Sequence, residues 1–178
     1  MSALERVYNQ LPRPKLWRRG SASGLDFLLA WLLSAVGINP QANVQFLQIL
    51  IFIAAWLLLR VVVVVRNQGQ SLGHWAFDMK VVDAKGRVPG LLELGKREGL
   101  MGLGALLAIV AVGNLGAGLV MLMLLAPLIV DCGWAWTDPH RQTLHDLLAK
   151  TLVVHTYRGF SLDRKIRRIV AQNRQRMR

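Results

Sequence analysis

The chain has 178 residues, 53% of them hydrophobic and 18% charged, with a net charge of +12 and a mean hydropathy of +0.36. A soluble domain of this size carries about 25% charged residues; here the apolar residues form long blocks with basic residues beside them, which favours a membrane protein over a nucleic-acid binder. The single cysteine, Cys132, excludes an internal disulfide framework and any multi-cysteine zinc site.

Residues 1–16 read as a basic N-terminal arm, in which Pro12 and Pro14 discourage a helix. The first apolar segment, residues 20–37, is just long enough to cross a bilayer. A cleavable signal peptide is the competing reading, because Ser34-Ala35-Val36-Gly37 resembles a cleavage site. Asp26 inside the apolar run argues against it, and so does the need of the later segments for a packing partner. An uncharged link, residues 38–43, leads to a second predicted span over 44–65, interrupted only by Gln45, Gln48 and Arg60.

Residues 66–98 form a polar loop with six Lys/Arg and four acids. Within it, Met79-Lys80-Val81-Val82 has β character and Asp83-Ala84-Lys85-Gly86 is a turn signal, which together predict a small juxtamembrane β-hairpin. A single helix over residues 99–130 would be about 48 Å long, too long for a bilayer core of about 30 Å without steep tilt. The glycine-rich sequence AVGNLGAG at residues 111–118 breaks it, so two segments are expected, near 99–113 and 117–136.

Charge bias points the same way. The tail from His140 carries ten Lys/Arg against Asp146 and Asp163. Three spans would place this basic tail outside, against the positive-inside tendency, whereas four return it to the cytoplasm. The expected fold is therefore an all-α membrane protein, a small helical bundle of four helical segments, with three spans as the alternative. Both termini are expected to be cytoplasmic. Leu162, Ile166, Ile169 and Val170 recur at helical spacing in the basic C-terminal tail, residues 158–178. An amphipathic helix there would lie on anionic lipid.

On this topology three charges fall at similar depth. Asp26 is two turns, about 10 Å, beyond Arg19; Arg60 is about 9 Å inside the boundary at Arg66; Asp131 is about 7.5 Å from Trp136. A lone charge there costs about 2.5–3.5 kcal/mol on insertion scales, so Arg60 is expected to pair with Asp26, Asp131 or both. His145-Asp146 lacks the further ligands a metal site needs. Asp146 instead suits a capping box with Thr143, or an ion pair with Arg19 or Arg141. Trp17, Trp75, Trp134 and Trp136 fall near predicted boundaries, as interface anchors do. No nucleophile–base constellation, phosphate loop or cofactor motif is present in the sequence.

Several motifs in order resemble the RDD family of small membrane proteins. RGSASGLDFLLAW carries the Arg-x6-Asp signature as Arg19 and Asp26. GQSLGHWAFDMKVVDAKGR is similar to the family's Gly-Gln-Thr/Ser-x-Gly segment, here Gly69, Gln70, Ser71 and Gly73. KREGLMG fits the start of the next helix, and RQTLHDLLAKTLVVH matches the family's ending, with His145, Asp146 as its second aspartate, and Lys150 where glycine is common. The resemblance covers roughly residues 17–155, within one transmembrane domain taken as 17–157. It implies a multi-pass membrane protein for which transport, including cation/proton antiport, is suspected. The leading expectation is a non-enzymatic membrane module: an assembly factor, scaffold or accessory subunit that meets a membrane-protein partner or a second copy of itself. The alternative is an ion or small-solute transporter with Asp26 as its protonatable site.

Overall fold

The computed structural model describes residues 12–39, 41, 45–113 and 118–156. The expected amphipathic tail, most of the N-terminal arm and residues 114–117 of the glycine-rich break lie outside these.

Helix α1 (Leu16–Ser34) starts after Pro14 and the extended Lys15, and ends in a 3-10 turn, Ala35–Gly37. Its buried residues are Arg18, Ala22, Asp26, Ala30 and Ser34, one every four positions. The small members of that stripe, Ala22, Ala30 and Ser34, let neighbouring backbones approach closely. Helix α2 runs over Phe46–Arg66, with Leu58–Val62 wound as π-helix. Leu59, Arg60 and Val61 are all buried within that stretch. The wider turn thus brings three consecutive side chains inside, one of them the arginine.

A short helix α3 (Leu72–Ala76) follows, capped by the Ser71 hydroxyl, which accepts from the His74 amide. Strand β1 (Met79–Asp83) then pairs antiparallel with β2 (Thr151–His155), in a register that sets Val81 opposite Val153. This corrects the expected local hairpin. The turn after β1 does form: Gly86 has φ +76° and the Asp83 carboxylate accepts from the Lys85 and Arg87 amides. No strand returns from it, because Val88-Pro89-Gly90 leads straight into a helix and Pro89 has no amide to give a ladder.

That helix, α4 (Leu91–Gly113), begins eight residues before the expected position and takes in the end of the polar region. Glu93 and Lys96 are exposed, whereas Leu94, Arg97, Glu98 and Met101 share the buried face. Helix α5 (Leu119–Thr137) packs on α4, where Gly104 lies against Leu128. A short helix α6 (Leu144–Leu148) precedes β2.

Among the described residues, α1 with its 3-10 turn (Leu16–Gly37), α2 and α5 are long and apolar enough to cross a membrane. Helix α4 has the length but carries Glu93, Lys96, Arg97 and Glu98 in its first turns. Phe52, Trp56, Met101, Ala105 and Ile109 form an apolar core where α2 and α4 meet Ala30 of α1. Leucines, valines and isoleucines on the outer faces of α1, α2 and α5 are exposed, Leu32, Leu50 and Ile129 among them. This pattern of apolar exterior and charged interior suits lipid surroundings. No charged residue occurs in 27–59 or 99–130, so the charges gather toward one end of the bundle.

Candidate functional site

At that end, five ionisable side chains, none more than 2% exposed, form a continuous chain of alternating sign: Asp26, Arg60, Glu98, Arg97 and Asp146. Arg19 closes it. Arg60 donates from Nη1 to Asp26 Oδ2 at 2.7 Å. It also grips Glu98 with two parallel bonds, Nε to Oε2 at 2.9 Å and Nη2 to Oε1 at 3.1 Å. Arg97 bridges onward, from Nη1 to Glu98 Oε1 and from Nε to Asp146 Oδ1 at 3.0 Å. Arg19 donates to Asp146 and to the Arg141 carbonyl. Forked arginine–carboxylate pairs of this kind are the geometry in which burial is best compensated.

Asp26 makes more than an ion pair. Its Oδ2 also accepts from the Ser71 hydroxyl at 2.6 Å, and its Oδ1 from the Gly73 amide at 2.7 Å. The approach requires glycine: a Cβ on Gly73 would run into the Ala22 carbonyl of α1. The signature residues Gly69, Gln70, Ser71 and Gly73 therefore surround Asp26 or support its surroundings. Gly69 has φ +87° and passes against the Val81 carbonyl, and Gln70 Nε2 donates to the Met79 carbonyl at 2.7 Å.

Ser71 has one hydroxyl proton, and the carboxylate can only accept it. The contact between Ser71 Oγ and His74 Nδ1, 2.8 Å, is then a bond donated by His74 Nδ1–H, leaving Nε2 as an acceptor. Burial, followed by Arg60, Arg97 and Arg19, pushes the His74 imidazole well below its ordinary range, so it stays neutral.

The other expected residues lie beside this chain. Asp131 does not reach Arg60; its Oδ1 accepts from the His145 amide at 2.9 Å, and its Oδ2 lies 2.6 Å from His145 Nδ1. Asp146 forms a capping box with Thr143 at the start of α6. Burial alone would raise its carboxyl, but the Arg19 and Arg97 guanidinia outweigh that and hold it well below the usual carboxylate range. Arg97 and Glu98, at the end of the polar region and within the KREGLMG motif, are the members not expected among the buried charges. Their signal is the helical phase of Leu94, Arg97, Glu98 and Met101.

A cavity of about 500 Å³ opens beside the chain, between the start of α1 and the end of α5. Its inner wall includes Arg19, His74, Arg97 and His145. Among the described residues, no group of three or more His, Cys, Asp or Glu side chains is placed to hold a metal ion.

Residues 13–150, most of the chain, match the RDD family. No curated protein and no solved structure matches it.

Proposed function

The chain belongs to the RDD family, and we propose that it acts there as a non-enzymatic, multi-pass membrane module whose buried ions fasten the membrane helices to a small cytoplasmic subdomain. The observation that carries this reading is the saturation of Asp26. Both carboxylate oxygens are engaged, by a guanidinium, a hydroxyl and a backbone amide, with no exposure. A carboxylate whose two oxygens are filled by donors from α2 and from the segment before β1 ties both of those elements to α1.

Four membrane segments are favoured over three. The pairing of β1 with β2 supports this, because an odd number of crossings between residues 83 and 151 would separate strands that are hydrogen-bonded. The uncharged stretches at the far end, against the lysines and arginines near Arg19, Arg66 and Arg97, support cytoplasmic termini. The exposed apolar faces would contact lipid, a membrane-protein partner or a second copy, and the basic tail would meet anionic lipid.

Transport is the second reading. The Asp131–His145 pair favours it, since His145 lines the cavity. Purified protein in liposomes under an imposed pH gradient separates the two. The module reading expects no cation-dependent proton flux, and expects Asp26→Asn to lower stability only. A flux abolished by Asp131→Asn, or by Asp26→Asn, overturns it.

A further inference from the structure

The cavity between α1 and α5 has a one-sided chemistry. Its walls are apolar, with Leu16 and Trp17 on α1 facing Ile129 and Trp136 on α5. Arginine and histidine side chains line its inner end, and among the described residues no carboxylate-bearing one lines it. The nearby acids are turned away: Asp146 onto Arg19 and Arg97, Asp131 onto His145.

Two buried side chains bring unused valence to the cavity. Arg97, 2% exposed, commits Nε and Nη1 to Asp146 and Glu98, and its Nη2 has no partner among the described residues. His74, 1% exposed, commits Nδ1 to Ser71, and its Nε2 is likewise without a partner there. The cavity thus offers a cationic donor and a neutral acceptor at the inner end of an apolar slot. The slot is flanked by Trp17 and Trp136, both exposed and at helix ends, where headgroups lie.

We propose that this slot binds the headgroup of an anionic, hydroxyl-bearing membrane phospholipid. The phosphate would sit toward Arg97 and Arg19, a headgroup hydroxyl would donate to His74 Nε2, and the acyl chains would leave between α1 and α5. A volume of about 500 Å³ lies within the range of small-ligand pockets, about 300–1,000 Å³. The proposal depends on α1 and α5 crossing the bilayer and is independent of whether the protein transports anything.

Cys132 lines the same cavity and is the only cysteine in the sequence, so it reports occupancy. Full-length protein is reconstituted in phosphatidylcholine vesicles with and without phosphatidylglycerol, and labelling by uncharged N-ethylmaleimide is timed. Phosphatidylglycerol is expected to slow labelling about fivefold, the protection given by a site about four-fifths occupied. Gly20→Leu, placed where a Cβ meets no atom within 4 Å, fills the slot and should bring the ratio of the two rates to about one. Ser23→Leu, on the same wall, serves if Gly20→Leu does not fold. Equal rates in the wild type overturn the proposal. A ratio that survives both substitutions overturns it too, because the slowing then comes from membrane surface potential. Equal protection by soluble glycerol 3-phosphate in phosphatidylcholine vesicles overturns the lipid as occupant.

Discussion

Arg60 is clamped to Glu98 by two parallel hydrogen bonds across the contact between α2 and α4, while its remaining edge reaches Asp26 on α1. Three helices thus meet on one guanidinium. Removing it leaves Asp26 buried without a counter-ion and Glu98 with Arg97 alone, and breaking a buried pair this way costs about 3–5 kcal/mol. Arg60→Met should therefore lower stability strongly in thermal unfolding in detergent. Adding Asp26→Asn should recover about half of that loss, since the stranded charge is gone. Adding Asp131→Leu should recover none, because Asp131 sits on His145. Rescue by Asp131→Leu, or none by Asp26→Asn, would show that the ion chain is wired differently.

Gly73 and Gly99 form a matched pair for the close approach at Asp26. A Cβ at Gly73 meets the Ala22 carbonyl, whereas a Cβ at Gly99 meets nothing within 4 Å. Gly73→Ala should cost about 3 kcal/mol, the upper range for overpacking. Gly99→Ala lies within α4 and should stabilise by about 0.5–1 kcal/mol through helix propensity. Equal effects in an unfolding assay would rule out the tight α1–α3 contact as the reason for glycine at 73.

What could be seen in the sequence was the expensive part. Asp26 and Arg60 stand out because a charge in an apolar run demands a partner, and equal depth brings them together. Arg97 and Glu98 are hidden by their neighbours: with Glu93 and Lys96 they look like a solvated cluster, and only the helical phase from Leu94 to Met101 separates the two faces. The strand at residues 79–83 is legible from its composition, but its partner is not, because a local turn and a distant strand offer the same pattern to one edge. Lys150, where the resemblance suggests glycine, has φ +53° at the reversal between α6 and β2. A backbone requirement thus stands behind that family preference.

Acid should weaken the fold in two stages. The His74 imidazole is held well below its ordinary value near 6.5, so below about pH 6.5 the unfolded chain takes up a proton that the folded chain refuses. Stability should fall as pH drops through that region, with a slope of at most about 1.4 kcal/mol per pH unit from this one group. Asp146, held low by Arg19 and Arg97, keeps its full contribution above about pH 4 and loses it as pH falls through its folded value. Unfolding midpoints recorded from pH 8 to pH 3 should show both stages. His74→Gln should flatten the first and leave the second; an unchanged first stage would assign it to another group.

The β1–β2 ladder makes the topology testable at single positions. Val81 pairs with Val153 across the sheet, so in a bilayer the turn at residues 83–87 and the segment before β2 would have to share one side. Everything between them, α4 and α5, must leave that side and come back, or never cross. The absence of charge in residues 99–130 makes entry into the bilayer inexpensive, while Arg97 and Glu98 hold the start of α4 at the charged end. In a Cys132→Ser background, Lys85→Cys and Leu148→Cys occupy exposed positions at that end, and Gln41→Cys occupies the uncharged link. A membrane-impermeant maleimide applied to intact cells should label Gln41→Cys at once, and the other two only after permeabilisation. Labelling of Lys85→Cys and Leu148→Cys from opposite sides would mean an odd number of crossings between them. The two strands could not then pair, and the chain of ions through Asp146 would lose the segment that closes it.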